Sequence, residues 1–258
     1  MPNIQRGDGG PEVGNWQRFL DSQGFRGIVG HSLVIDEDFG RNTQYATMNY
    51  QAREKLAEKP GIVGSLTRKH AIAQGFIPFV QARYFTLVQL FAPRKIELIV
   101  IHTMEAPENA ETAENVANWF HGTTSNKASA HYCVDSNSIV QCVRERDVAW
   151  QAAGANHNGI GIELAGYAKQ GTMGWSDAYS QAMLLRSAKL VADICKRHQI
   201  PIQKLSPEDL ISKKSGICGH IDVNDAFKKG THYDPGGSFP WDDYLYMITT
   251  SEDTNGSA

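Results

Sequence analysis

The stretch "KIELIVIHTM", residues 95–104, holds the strongest apolar run of the chain and decides the fold of its larger part. Its aliphatic residues follow one another without a helical period, which is typical of a strand buried on both faces of a sheet. The run therefore predicts a buried strand that ends at His102. Downstream, residues 129–135 and 138–143 predict a hairpin, and "GIGIELAG", residues 159–166, predicts a further strand.

A long helix is expected after these strands in residues 176–199, with Ser176 as its N-cap and Pro201 just past its end. Its apolar stripe repeats at helical spacing and consists of Leu184, Ala188, Val191 and Cys195. "SPEDL", residues 206–210, predicts another helix start, because a capping serine precedes a proline in the first helical position. Strands that alternate with helices predict an α/β domain with a mixed sheet flanked by helices.

This α/β domain is expected to span residues 78–250, followed by a flexible polar tail at 251–258. Residues 1–77 differ: "VGNWQRFLDSQGF", "QYATMNYQAREKL" and the residues after "GIVGSLT" predict a small module of three short helices. The acidic "DEDFG" that begins at Asp36 is not a calcium loop, because its glycine stands fifth and no glutamate stands twelfth.

The composition excludes several classes of function. A net charge of -3 argues against nucleic-acid binding, which normally needs a basic face. No apolar run reaches membrane-spanning length and no secretory segment opens the chain, so we expect cytoplasmic synthesis without a signal peptide, no membrane insertion, and a monomer. The four cysteines lack a metal-finger spacing and are expected to be reduced, although Cys133 and Cys142 could face each other across the hairpin.

One predicted strand carries Glu163 on the same face as Gly161 and Ala165. A carboxylate beside two small side chains faces an open space, and it needs a cation, a metal-bound water or a substrate donor nearby. The alternative is a sheet face open to solvent. His102 and His220 also have plain alternatives, as a hydrogen-bonded core histidine and a loop residue.

"THYDPGGSFPW", residues 231–241, is rich in turn residues and could be only a turn. Pro235 disposes Asp234 towards an extended backbone, in which residues two apart project the same way, so His232 and Asp234 point at one spot. Two histidines and one carboxylate, with a fourth position left for water, are a catalytic zinc arrangement. Three separate elements would supply it: His102, His220 and Asp234.

The region from residue 79 to 246 resembles the zinc-dependent N-acetylmuramoyl-L-alanine amidase family, which includes phage lysozyme-type amidases and the peptidoglycan recognition proteins. The matching stretches stand in the family's order: "IVIHTM", "SAHYCVD", "VAWQAAG", "GIGIELAG", "CGHIDV" and "HYDPGGSFPW". The resemblance implies hydrolysis of the amide bond that joins N-acetylmuramic acid to L-alanine of the peptidoglycan stem peptide.

The resemblance also implies a role for each polar residue of the second domain. His102, His220 and Asp234 would bind Zn²⁺, and Glu163 would act as the base that handles the attacking water. His232 stands where many relatives carry a lysine, so it would donate to the carbonyl oxygen as negative charge develops there. A histidine, unlike a lysine, changes its charge near neutral pH.

Residues 1–77 resemble the small peptidoglycan-binding module of cell-wall hydrolases, on "EVGNWQRFLDSQGF", "DEDFGRNTQYA" and "GIVGSLT". The two resemblances together imply a modular enzyme of the phage endolysin kind, in which one domain holds bacterial peptidoglycan and the other cuts it. The alternatives are a bacterial enzyme exported by another route, a recognition protein without catalysis, and a zinc peptidase that cuts within the stem peptide.

Four further residues receive weaker predictions. His131, Trp150 and Asn158 are candidates for substrate contact, although His131 could equally be structural and Trp150 a plain core residue. Cys218 lies two residues before His220 and is an alternative thiolate ligand. It is disfavoured because Asp234 already completes a three-ligand site with one open position.

Overall fold

The computed structural model describes residues 3–76, 80–81, 94–122 and 128–253. The chain divides into two compact units, Met1–Gln81 and Ala82–Ala258, close to the boundary expected between residues 77 and 78. Within the described residues, no helix is both long and apolar enough to cross a membrane.

The first unit contains helices at the places that the periodicity predicts: α1 Pro11–Ser22, α2 Arg41–Arg53 and α3 Ser65–Ala73, followed by the short strand β1 Val80–Gln81. Its core is aromatic. The ring of Trp16 meets those of Tyr50 and Phe76 edge-on, with centroids 5.6 and 5.1 Å apart. The buried indole Nε1 of Trp16 donates to Thr47 Oγ1 at 2.9 Å, so its polar atom is also satisfied. The unit therefore has a core of its own.

The sheet of the second unit is built from strands β2 Leu98–Thr103, β3 Tyr132–Val134, β4 Ile139–Gln141, β5 Gly159–Leu164 and β6 Gly216–Gly219. Their spatial order is β4-β3-β5-β2-β6. Strand β2 runs parallel to both β5 and β6, whereas β3 and β4 form the antiparallel hairpin. Every residue of β2 is buried, as expected for a strand covered on both faces. The mixed sheet flanked by helices is thus confirmed.

The helices of the second unit are α4 Thr112–Gly122, α5 Thr172–Ser176, α6 Ala178–His198, α7 Pro207–Ile211, α8 His220–Phe227 and α9 Trp241–Asp253. The expected N-cap of the long helix is wrong by one residue. Asp177, not Ser176, caps α6, and its carboxylate accepts from Ser180 N at 2.8 Å. The reason is that Ser176 already closes α5, so the extended residue between the two helices is Asp177.

The end of the chain differs from the expected tail. Residues 251–253 form the last part of α9, and the rest of the expected tail lies outside the described residues. Helix α9 packs on α6, where Tyr244 and Ser187 share a buried hydrogen bond of 2.6 Å. All four cysteines are buried and free, with the Sγ atoms of Cys133 and Cys142 3.6 Å apart.

Candidate metal centre

The polar residues singled out in the sequence meet at one edge of the sheet. His102 and Glu163 are paired in register on the adjacent parallel strands β2 and β5. His220 opens α8 directly after β6, which pairs with β2 on its other side. Because the carboxyl ends of parallel strands lie at the same edge, these three side chains are brought together.

Asp234 reaches this edge from the loop between α8 and α9. Its carbonyl oxygen accepts from Ile221 N at 2.9 Å, which fastens the loop to the start of α8. The Asp234–Pro235 peptide bond is cis. As expected, His232 lies beside Asp234: its Nδ1 is 3.7 Å from Asp234 Oδ1, although the His232 side chain, like that of Tyr233, is largely exposed.

The His-His-Asp set has the donors of a metal site. Asp234 Oδ2 lies 3.1 Å from His102 Nδ1, and Asp234 Oδ1 lies 3.3 Å from His220 Nδ1. One ligand atom from each of the three buried residues lies within 4.8 Å of the others. Two imidazole nitrogens and one carboxylate oxygen, with a fourth position open, are the donor set of catalytic zinc sites. The residues present therefore fit a zinc ion.

Burial and mutual contact shift the pKa values of these three groups. Burial by itself raises the pKa of Asp234, but the hydrogen bonds with His102 and His220 hold it well below its usual range. Burial acts to lower the pKa of His102, yet Asp234 and the negative charge of Glu163 raise it to about 9. At His220 burial dominates and lowers the pKa to about 4. The carboxylate of Asp234 is therefore kept ionised and ready to bind a cation.

The pKa of Glu163 is raised, whereas that of Asp234 is lowered, although both residues lie beside His102. Burial raises the pKa of Glu163 to about 7, and the negative charges of Asp234 and Glu105 add to the shift against the opposing charge of His102. A carboxyl group with a pKa near 7 can both take up and release a proton at neutral pH. Its place on the wall of a cavity makes it a candidate general base.

This cavity has a volume of about 800 Å³ and opens beside the His-His-Asp cluster. Glu163, Asp234 and both histidines of the cluster line it, together with His232. Its other walls come from α4, from the loop after β2, from residues 150–156 and from the loop after α8. They include Asn115, Trp119, Phe120, Glu105, Trp150 and Lys229. Trp150 lines this cavity, and its contact with substrate stays a prediction.

Two expected substrate contacts do not reach the cavity. His131 is fully buried, and its Nδ1 accepts from Gly161 N at 3.0 Å while its Nε2 lies 3.1 Å from Asp147 O. Burial lowers its pKa to about 3, so it is a neutral histidine that ties β3 to β5, the structural alternative. Asn158 precedes β5, at the end of the strand far from Glu163, and its Nδ2 donates to Glu97 Oε2 at 3.1 Å.

The thiolate alternative also fails on position. Cys218 is buried in an apolar cluster with Leu98, Val100 and Val223, and among the described residues the group that could hold a metal does not include it. Burial raises the pKa of its thiol, which disfavours the thiolate form that binds metals.

One residue of the site was missed. Gln151 lines the cavity, and its Oε1 lies 2.8 Å from His102 Nε2. The carboxyl group of Glu163 faces the cavity as expected, but the space beside Gly161 is filled by the side chain of Gln151. Gly161 is the signal for this space in the sequence, but a glycine does not show whether a ligand or another side chain occupies the space.

Comparisons with known proteins agree with this geometry. The family model described as N-acetylmuramoyl-L-alanine amidase matches residues 92–237. The chain is 29% identical over 170 residues to N-acetylmuramoyl-L-alanine amidase A of Achromobacter lyticus, over 61% of this chain and 85% of that protein.

Comparison with solved structures gives matches at low identity. The Staphylococcus aureus hydrolase AmiA, solved in complex with its ligand, aligns with a TM-score of 0.50 and 16% identity, over 74% of this chain and 91% of that chain. The amidase LysC of Clostridium intestinale aligns with a TM-score of 0.44 and 16% identity, over 66% of this chain and 97% of that chain. Since the family model covers more than half of the residues and includes all three metal-ligand candidates, the chain belongs to the N-acetylmuramoyl-L-alanine amidase family of peptidoglycan hydrolases.

Proposed function

We propose that the cavity hydrolyses the amide bond between N-acetylmuramic acid and the L-alanine of the stem peptide, with a zinc ion held by His102, His220 and Asp234. The observation that carries the proposal is the buried His-His-Asp cluster beside Glu163, within the residues that match the amidase family. When bound, zinc supplies Lewis acidity, which polarises a carbonyl and lowers the pKa of water to about 7.

Glu163 is proposed to accept the proton of the attacking water and to pass it to the departing amine. Two features support this role. Its pKa of about 7 leaves a large ionised fraction at neutral pH, and its carboxyl group faces the cavity rather than the sheet core. A base in this position needs no change of side-chain position between the two proton transfers.

His232 is proposed to stabilise the negative charge that develops on the carbonyl oxygen. Its ring stacks on that of His220, with centroids 4.1 Å apart and planes 15° apart, and it lines the cavity. The stacking limits the ring's rotation, so a nitrogen can be held towards the substrate. Preorganised donors of this kind are worth roughly 3 to 4 kcal/mol.

The first unit is proposed to hold the wall while the second unit cuts it. A tether of this kind raises the local concentration of substrate without adding a catalytic contact. A phage endolysin reaches the host wall from inside the cell. That this chain does the same stays a prediction, and lysis of bacteria from inside would test it.

The test is digestion of purified peptidoglycan with measurement of metal content on the same preparation. We expect one zinc per chain, release of free N-terminal L-alanine, and loss of both on chelation. A zinc-loaded protein that yields no alanine ends but still binds the wall would favour the recognition protein. New amino termini from within the stem would favour the zinc peptidase.

A further inference from the structure

The two ring nitrogens of His102 have different partners. Nδ1 faces Asp234 Oδ2 at 3.1 Å, and Nε2 faces the carboxamide oxygen of Gln151 at 2.8 Å. A carboxamide oxygen only accepts hydrogen bonds, so Nε2 must carry a hydrogen. The ionised carboxylate of Asp234 also only accepts, so the metal-free ring carries a hydrogen on each nitrogen, and the one on Nδ1 is given up when this nitrogen binds a metal. In the neutral imidazole this leaves the lone pair of Nδ1 directed at the position where the ligand atoms converge.

The orientation of the Gln151 carboxamide is itself determined by its surroundings. Its Nε2 lies 3.4 Å from the carbonyl oxygen of Ala155, so the oxygen end is the one that faces His102. The backbone of the same loop is held by Asn156, whose Oδ1 accepts from the backbone nitrogens of Gln151 and Ala152 at 3.0 and 2.7 Å. Both the side chain and its backbone are therefore fixed.

Strand β5 provides the space for this side chain. A Cβ at Gly161 would lie 2.8 Å from Gln151 Cβ and 3.0 Å from its Oε1. A Cβ at Gly159 would lie 3.1 Å from Gln151 Nε2. These two glycines share one face of the strand, next to Glu163 on the same face. The strand is thus shaped around a buried glutamine that ends on a metal-ligand candidate.

From this geometry we infer that Gln151 is a positioning residue, which sets the tautomer and the ring orientation of His102 as a metal ligand. The inference rests on the proposed zinc site. A hydrogen-bond acceptor on the far nitrogen of a ligating histidine makes that histidine a better ligand, and its loss typically weakens metal binding by 10- to 100-fold. Gln151 is not expected to touch the reacting atoms.

The test measures zinc affinity by competition with a chromophoric chelator, which does not depend on turnover. Gln151→Leu removes the acceptor and should weaken zinc binding by about 10- to 100-fold. Gln151→Glu keeps an acceptor for His102 Nε2 and should retain tight binding. The matched control is Gln141→Leu, which removes a buried glutamine of β4 that bonds Tyr132 and should leave the zinc affinity unchanged.

A second measurement uses the unaltered, zinc-loaded protein. Long-range nitrogen–proton NMR should show His102 protonated on Nε2, and protonation on Nδ1 would overturn the inference. Equal zinc affinity for Gln151→Leu and the parent protein would also overturn it. If Gln151→Leu does not fold, weak zinc binding by Gln151→Glu would overturn the inference about Gln151 instead. A parent protein that binds no zinc would refute the proposed function itself, so the two failures are distinct.

Discussion

At the scale of single residues, Asp234 and Glu163 line the same cavity beside the histidine pair, and their surroundings shift their pKa values in opposite directions. Asp234 lies between two histidines, which lower its pKa, whereas burial raises that of Glu163 to about 7. When the surroundings separate the pKa values of two carboxyl groups, the group with the lower pKa stays ionised and the other can transfer a proton. Each assignment predicts the behaviour of a variant.

Replacing Glu163 by glutamine should leave zinc bound and reduce turnover by about 10²- to 10⁴-fold, because the amide cannot accept a proton. Metal content and the rate of alanine release, measured on one preparation, check this. A variant that turns over near the normal rate would remove Glu163 from the mechanism.

Asp234→Ala should lose zinc and activity together. The substitution removes the only carboxylate of the cluster and leaves two histidines, which is too few ligands for a stable zinc site. Metal analysis after gel filtration measures the loss. Stoichiometric zinc in this variant would contradict the assignment of Asp234 as a ligand.

His232→Ala should lower kcat by about 10²- to 10³-fold with zinc still bound, because it removes one donor to the developing oxyanion. His232→Lys should restore activity, since a lysine donates from the same place and keeps its charge across the neutral range. A lysine variant as slow as the alanine variant would disprove the proposed role.

At the scale of elements, a partly buried ion pair joins α6 to the segment that follows β4. Arg197 Nη2 donates to Glu145 Oε1 at 2.7 Å, and Tyr132 OH donates to the same oxygen at 2.7 Å. Burial raises the pKa of Glu145, but the charge of Arg197 outweighs it and holds the pKa well below its usual range. A carboxyl whose pKa is lowered by folding stabilises the fold above its unfolded pKa, and this contribution is lost as the pH falls.

The free energy of unfolding should therefore decrease as the pH falls from about 5, since the unfolded pKa of glutamate is about 4.3. Glu145→Gln should destabilise the protein by about 1.5 to 3 kcal/mol at neutral pH, because it removes the charged partner of Arg197 and leaves that guanidinium paired with Asp193 alone among the described carboxylates. It should also flatten the dependence of stability on pH in the acid range. Urea unfolding of both proteins at several pH values measures the two effects, and identical acid slopes would contradict them.

At the scale of the whole molecule, each of the two units has its own buried core, so the proposed binding and cutting functions can be separated. Deleting residues 1–77 should reduce co-sedimentation with insoluble peptidoglycan and slow the digestion of intact walls. The rate on a small soluble muropeptide should stay unchanged, because a tether adds nothing to a substrate that is not anchored. A deletion that leaves wall binding intact would contradict the proposed role of the first unit.

Local patterns in the sequence predicted the α/β class, the helical first unit, the strand that carries His102, and the convergence of His232 and Asp234. These features depend on neighbouring residues, through side-chain alternation, helical period and the restraint that proline places on the residue before it. The metal-ligand candidates came from residue chemistry combined with the family resemblance.

Only the tertiary structure decided which distant residues meet. The parallel register of β2 and β5 pairs His102 with Glu163, and it determines that Gln151, not open space, lies beside Gly161. The tertiary structure also places His131 and Asn158 outside the cavity, although both stand in motifs that suggested substrate contact. Strand order and register arise from contacts between residues that are far apart in the chain, and a local pattern carries no information about them.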